Sequence, residues 1–146
     1  MSGSEIRNRD SQKSPEIGAS PEGRYASLDD RCVFELTGPD RFRYLNGQVT
    51  NEVNGDLGTH TRAACVCSLK GKVEFLVWIR SDGNSIWIDG QIEQREGLHA
   101  RLDRYLIADD CALHDRTSEG RLLHHFLPGM PGTTSERTSR PGKDLW

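Results

Sequence analysis

Two apolar runs separated by a glycine turn are the feature that most constrains the fold of this 146-residue chain. Residues 62 to 69 and 72 to 80 have the composition of strands, and a Lys-Gly pair at 70 and 71 separates them. Both alternating sets of the second run are largely apolar, which predicts a central strand covered on both faces. The turn residues at 81 to 84 lead into a third strand over 85 to 89, so the pattern predicts successive antiparallel hairpins.

Helical patterns flank these hairpins on both sides. Residues 32 to 36 are strand-like, and Pro39 with Asp40 opens a short helix that ends near Val49. From Gln91 an amphipathic helix of about four turns is expected at 3.6 residues per turn, with Leu98, Leu102, Tyr105 and Leu106 on its apolar face. Residues 109 to 115 are predicted to form one more strand. This order predicts an α+β fold, a mainly antiparallel sheet with two helices.

The composition changes sharply at both ends of this region. Residues 1 to 25 and 118 to 146 are rich in Ser, Gly, Pro and charged residues, and such segments bury too little apolar surface to offset the entropy of ordering. We therefore expect a disordered leader over 1 to 25, one domain over 26 to 117, and a poorly packed tail over 118 to 146.

Net charge and hydropathy exclude several classes of partner. The 19 Lys and Arg and 22 Asp and Glu give a formal charge of −3 without a basic block, so no nucleic-acid partner is expected. No run approaches the ~18 apolar residues of a membrane helix. The N-terminal region also lacks the apolar core of a secretory signal. These absences predict a cytoplasmic protein with no membrane partner.

The cysteines and histidines do not form a recognisable site in the sequence. Neither residue type has the spacing of a zinc site, and no histidine lies in a nucleophile motif. We therefore expect no metal and no catalytic residue among them, and interpret the thiols as structural and buried. The residues concerned are Cys32, Cys65, Cys67, Cys111, His60, His99, His114, His124 and His125.

Two residues of the second hairpin strand are candidates for ligand binding. Glu74 is an acid in an apolar run, where a charge needs either a partner or a function. Its alternative is a solvent-facing ion pair with Lys72 or Arg62. Trp78 lies four residues further on, on the same predicted face, and could stack on an aromatic ligand or simply fill the core. The loop over 51 to 60 could also face a ligand.

Four segments together resemble the folate-binding T-protein family. They are LTGPDRF at 36 to 42, YLNGQVTNEV at 44 to 53, KGK at 70 to 72 and LDRYLIADD at 102 to 110. This family joins the aminomethyltransferase of the glycine cleavage system to the YgfZ-type proteins, which support iron–sulfur cluster assembly and tRNA modification. Lys70-Gly71 and the single acid Glu74 favour the YgfZ-like branch. The resemblance implies a truncated member that retains only the N-terminal part of the fold.

The resemblance also implies a cofactor, tetrahydrofolate, and a site for it. The pocket wall would be formed by Thr50, Asn51 and Glu52 with Glu74 and Trp78, where a carboxylate accepts the pterin N–H groups and an aromatic ring stacks on the pterin. Two alternatives are a glycine cleavage T-protein-like aminomethyltransferase fragment and a non-catalytic module that binds a partner protein or the missing C-terminal half. With one acid left, the chain alone is not expected to transfer an aminomethyl group.

Overall fold

The computed structural model describes residues 17–20, 23–57, 61–120, 122–126 and 143–145. These residues form two antiparallel sheets and two α-helices, so the predicted α+β fold is confirmed. The strands are β1 (Ile17–Ser20), β2 (Gly23–Ser27), β3 (Arg31–Thr37), β4 (Arg62–Cys67), β5 (Val73–Ser81), β6 (Ile86–Gln91), β7 (Ala112–Asp115), β8 (Leu123–Phe126) and β9 (Lys143–Leu145), and the helices are α1 (Arg41–Asn46) and α2 (Arg95–Asp103).

The larger sheet has five strands in the order β4-β5-β6-β3-β7, and all neighbours are antiparallel. Helix α2 packs on one of its faces. A Cβ atom at Gly90 of β6 would lie 2.8 Å from Cδ2 of Leu98, so the missing side chain lets the helix approach the sheet closely. We call this the covered face.

The hydrophobic core lies between the covered face and the two helices. Tyr44 of α1 is 3% exposed, and its hydroxyl donates a hydrogen bond to the carbonyl of Leu102 near the end of α2. Burial raises the pKa of the Tyr44 phenol, which therefore stays a donor. The core also contains Phe34, Leu36, Leu45, Val53, Leu57, Ala64, Val66, Val77, Ile79, Ile86, Ile88 and Leu98.

Strand β5 differs from the prediction of a strand covered on both faces. Val77 and Ile79 are buried on the covered face, but Leu76 is 52% exposed and Trp78 is half-buried. Among the described residues, the second face of β4 and β5 therefore has little cover. We call this surface, formed by Ala63, Cys65, Leu76 and Trp78, the open face.

The second helix is shorter than its sequence pattern. A 3-10 turn over Ile92–Gln94 precedes α2, which ends at Asp103, and a second 3-10 turn spans Leu106–Ala108. Tyr105 and Leu106 still pack on the core although they lie beyond the end of α2. The 3-10 turn keeps them there in place of a last α-helical turn. No helix within the described ranges has the length and hydropathy needed to span a bilayer.

A second sheet lies almost entirely outside the limits of the expected domain. Its strand order is β1-β2-β8-β9, with β2 and β8 antiparallel. Regular structure thus extends into residues that were expected to form a leader and a tail. Residues 1–16 and 127–142, where most of the leader and tail fall, lie outside the described residues, and the division at 26 and 117 stays a prediction.

Gly38 joins β3 to α1 at a point where another segment crosses. Its φ is +106°, and a Cβ atom there would lie 2.4 Å from the carbonyl oxygen of Asp110. Gly83, in the turn between β5 and β6, also has a positive φ of +94° but has open space around it. Both glycines have a positive φ, which a residue with a side chain would adopt only under strain. Only at Gly38 would the added Cβ atom also clash with the backbone of another segment.

We expect Gly38→Ala to lower the free energy of unfolding by more than about 2 kcal/mol, because strain and a backbone clash combine. Gly83→Ala, the matched control, carries strain alone and should cost about 1 kcal/mol. Urea unfolding followed by circular dichroism measures both. Equal losses in the two variants would show that the crossing at Asp110 is looser than described.

Candidate functional site

The segment after α1 runs along the outer edge of β4. Val49 forms a bridge with Val66, and the Thr50 N–H donates to the carbonyl of Cys65 at 3.0 Å. The Thr50 hydroxyl in turn accepts the Cys65 N–H at 3.0 Å. Thr50 is therefore fixed beside the strand by its backbone and its side chain, while remaining exposed.

Asn51 fixes the next part of this segment. Its side-chain amide donates to the carbonyl of Ala63 at 3.0 Å, and its Oδ1 accepts the Glu52 N–H at 2.9 Å. The Glu52 carboxylate is exposed and accepts one hydrogen bond from Asn54 at 3.3 Å. A carboxylate has about four lone-pair sites, so Glu52 keeps capacity to accept further donors.

Trp78 lies one strand away from this segment. It is directly opposite Ala63 in the β4–β5 ladder and opposite Asp89 in the β5–β6 ladder. Because side chains alternate along a strand, Trp78 lies on the face opposite the buried Val77 and Ile79. The small side chains of Ala63 and Cys65 thus separate Trp78 from the edge that holds Thr50 and Asn51.

A β-bulge changes the direction of Glu74. Val66 is opposite Phe75, whereas Cys67 is opposite Val73, so Glu74 is the extra residue in β5. Its carboxylate lies 3.6 Å from Nε of Arg101 in α2. The prediction that Glu74 and Trp78 share one face is therefore wrong, because the bulge interrupts the alternation and turns Glu74 towards the helix.

Arg101 is the ion partner of Glu74, in place of the Lys72 or Arg62 suggested by the sequence. Its guanidinium also donates to Oε1 of Gln48 and to the carbonyl of Cys67, each at 2.9 Å. It lies 4.5 Å from the centroid of the Tyr105 ring and is 15% exposed. Arg101 thus connects α2, the edge of β4 and the start of the 48–52 segment.

The structure therefore places three of the five predicted site residues together, a fourth across β4 from them, and the fifth against α2. Thr50, Asn51 and Glu52 lie at the edge beside Ala63, with Trp78 across β4, while Glu74 contacts α2. Arg101 was missed because a charged residue on the polar side of an amphipathic pattern looks like a solvent-facing one. The signal that could have identified it is its spacing, three residues after Leu98 and four before Tyr105, which places it at the border of the apolar face.

Glu35 of β3 has two polar partners. The Ser85 hydroxyl, with Arg116 at 2.9 Å, holds the pKa of the Glu35 carboxyl below its usual value. All four cysteines are free, and Cys32 is the one that is fully buried. Within the described ranges, no group of three or more His, Cys, Asp and Glu side chains could hold a metal ion.

Comparison with known proteins finds partial relatives. No family model matches the sequence. The chain is similar to the tRNA-modifying protein YgfZ of Klebsiella pneumoniae (36% identity over 64 residues, 43% of this chain and 20% of that protein). It is also similar to YgfZ of Yersinia enterocolitica (37% over 79 residues, 52% and 22%) and of Escherichia coli O157:H7 (33% over 82 residues, 56% and 25%). The chain spans a fifth to a quarter of these relatives.

A solved structure shares the fold. The aminomethyltransferase T of the glycine cleavage system from Bartonella henselae superposes with a TM-score of 0.59 at 11% identity, over 76% of this chain and 36% of that one. At this identity the match shows the fold alone. The comparisons thus support the resemblance in part: the chain is similar to YgfZ in sequence and to aminomethyltransferase T in fold. That the chain corresponds only to the N-terminal part of these proteins stays a prediction.

We expect Arg101→Met to lower the free energy of unfolding by about 2 to 3 kcal/mol, because two acceptors lose a charged donor. Glu74→Gln should cost less than about 1 kcal/mol, since a partly exposed pair at 3.6 Å contributes little. Chemical denaturation measures both changes.

The matched control is Arg43→Met, which removes an exposed arginine that forms ion pairs with Asp40 and Asp109. It should change stability much less than Arg101→Met. A larger loss in Glu74→Gln than in Arg101→Met would contradict the assignment of Arg101 as the centre of this cluster.

Proposed function

We propose that this chain is the tetrahydrofolate-binding part of a YgfZ-like protein that acts in tRNA modification and in iron–sulfur cluster assembly or repair. The observation that carries the proposal is the 33 to 37% identity to tRNA-modifying YgfZ proteins over 64 to 82 residues. The link to iron–sulfur clusters and the folate ligand rest on the family resemblance of the 36–53 and 70–72 segments.

The open face and its edge have the chemistry that a pterin requires. A pterin is flat and carries N–H donors along one edge, so its recognition needs a stacking surface and an acceptor. Trp78 supplies an indole ring that is half-buried, and Glu52 supplies an exposed carboxylate with unused lone pairs. Ala63 and Cys65 between them are too small to obstruct a ring lying on the sheet.

Rigid support of the edge favours binding without a large ordering cost. Thr50 and Asn51 are fixed to β4 by three hydrogen bonds of 3.0 Å, so the Glu52 carboxylate projects from an ordered segment. Preorganised groups lose less entropy when a ligand binds. In this proposal Thr50 and Asn51 hold the wall in place, and Glu52 and Trp78 touch the ligand.

Glu74 has a different role from the one the resemblance implies. Its carboxylate contacts Arg101, which also holds Gln48, two residues before Thr50. We assign Glu74 to this support and the pterin-binding carboxylate to Glu52. Bound tetrahydrofolate would carry one-carbon units, and the residues of this chain would bind and orient it. We propose no aminomethyl transfer by this chain alone.

A second candidate is a module that binds a partner protein. Leu69 and Ile107 are 90% and 93% exposed, and Val73 and Leu76 are 56% and 52% exposed. Exposed apolar side chains of this size favour protein contact where they form a continuous patch. Leu76 belongs to the open face itself, so the two candidates compete for the same surface.

Isothermal titration calorimetry with tetrahydrofolate tests the folate proposal. We expect the chain to bind, and Trp78→Ala and Glu52→Gln each to weaken binding by about tenfold, the effect of losing a stacking surface or a charged acceptor. Glu74→Gln should weaken binding much less, because Glu74 acts through Arg101.

Two control variants separate these effects. Glu96→Gln removes an exposed carboxylate on α2, on the other side of the sheet, and should not change the affinity. Trp87→Ala removes a tryptophan of β6 on the same sheet face as Trp78, whose indole N–H donates to Asp82 at 2.8 Å, and should weaken binding much less than Trp78→Ala. No heat of binding with the unaltered chain, together with dimerisation detected by light scattering, would reject the folate proposal and favour the interaction module.

A further inference from the structure

An open cleft lies where the β4–β5 turn meets the C-terminal end of α2. Its volume is about 280 Å³, and its lining includes Ser68, Lys70, Arg101, Arg104, Tyr105 and one acid, Glu74. We call it the cationic cleft. It is separate from the open face, because α2 and Arg101 belong to the covered side of the sheet.

The positive charges of this cleft are unevenly compensated. Arg101 is engaged by Glu74, Gln48 and the Cys67 carbonyl. Lys70 and Arg104 are exposed, as is Lys72 just beyond the turn. None of these three side chains forms an ion pair or hydrogen bond with another residue in the described part of the chain. The acid of the lining, Glu74, is thus paired with Arg101. Lys70 and Arg104 in the cleft, and Lys72 beside it, have no counter-charge among the described residues.

The turn that carries the two lysines is held in one conformation. The Ser68 N–H donates to the Lys72 carbonyl at 2.8 Å, and the Gly71 N–H donates to the Ser68 carbonyl at 2.9 Å. The Ser68 hydroxyl also accepts the Lys72 N–H at 3.2 Å. Gly71 adopts a φ of +75°, which a side chain would disfavour. Lys70 and Lys72 thus extend from a fixed base beside Arg104.

A polyanion fits this arrangement better than a single small anion. Three cations spread over a turn and a helix end match charges repeated along a chain, and phosphate contacts by Lys and Arg supply most of the sequence-independent affinity for nucleic acids. The chain as a whole carries a formal charge of −3, so a polyanion would be attracted by the local positive charges of the cleft and not by the protein's net charge. The expectation of no nucleic-acid partner was drawn from that overall charge.

We propose that the cationic cleft binds phosphate groups of the tRNA backbone through Lys70, Lys72 and Arg104. The choice of tRNA rests on the proposed function, since the similar proteins are named tRNA-modifying. The contacts are with the backbone, so binding does not depend on base sequence. Tetrahydrofolate and tRNA would then occupy opposite sides of the sheet.

Fluorescence anisotropy with a labelled, unmodified tRNA tests this in the full 146-residue chain. We expect binding at low salt that weakens as salt rises. Lys70→Ala, Lys72→Ala and Arg104→Ala should each weaken it by about three- to tenfold and lower the slope of log affinity against log salt by about one. A second tRNA of different sequence should give the same losses.

Arg62→Gln is the matched control, because it removes one positive charge from β4, away from the cleft. It should leave the slope and affinity nearly unchanged. Equal losses in Arg62→Gln and the cleft variants would overturn the proposal by showing only a general charge effect. Binding of poly-glutamate but not of tRNA, with the same sensitivity to the cleft variants, would overturn it in favour of an acidic peptide.

Calorimetry with tetrahydrofolate on the same variants separates this inference from the proposed function. The cleft variants should bind tetrahydrofolate like the unaltered chain. If the unaltered chain binds tetrahydrofolate but not tRNA, the proposed tRNA site is rejected and the proposed folate site is retained. If the unaltered chain binds tRNA but not tetrahydrofolate, the proposed tRNA site is supported and the proposed folate site is rejected.

Discussion

One guanidinium group connects the parts of the molecule on which the candidate site depends. Arg101 projects from α2, donates to Gln48 and to the Cys67 carbonyl, and lies beside Glu74 and the ring of Tyr105. A mostly buried arginine is tolerated only where its donors are satisfied. Satisfying them requires the helix, the bulged hairpin and the segment before Thr50 to occupy fixed relative positions.

The two sides of the sheet can therefore have different roles. Apolar residues and the two helices close the covered face, and this burial stabilises the domain. The open face carries Trp78 and small neighbours that contribute little to the core, next to an edge ordered by Asn51 and Thr50. A surface of this kind, rigid but not needed for packing, is suited to binding a flat ligand.

The sequence predicts the inner strands and the helix positions well, because apolar residues recur there at periods of two and 3.6. It fails where tertiary contacts change the local pattern. The bulge at Glu74 cannot be recognised from alternation, so the face of Glu74 was predicted wrongly. Strands β1, β2, β8 and β9 have short, polar-rich sequences without a clear period. Arg101 and the three uncompensated cations become recognisable only when the turn and helix end are seen together.

Nuclear magnetic resonance of the ¹⁵N-labelled chain during titration with tetrahydrofolate tests the location of the site most directly. The binding proposal predicts shifts for the amides of Thr50, Glu52, Ala63 and Cys65 and for the Trp78 indole, with little change at Leu98 and Leu102 on α2. Shifts confined to α2 and Glu74 would contradict it, because they would place the ligand on the opposite side of the sheet.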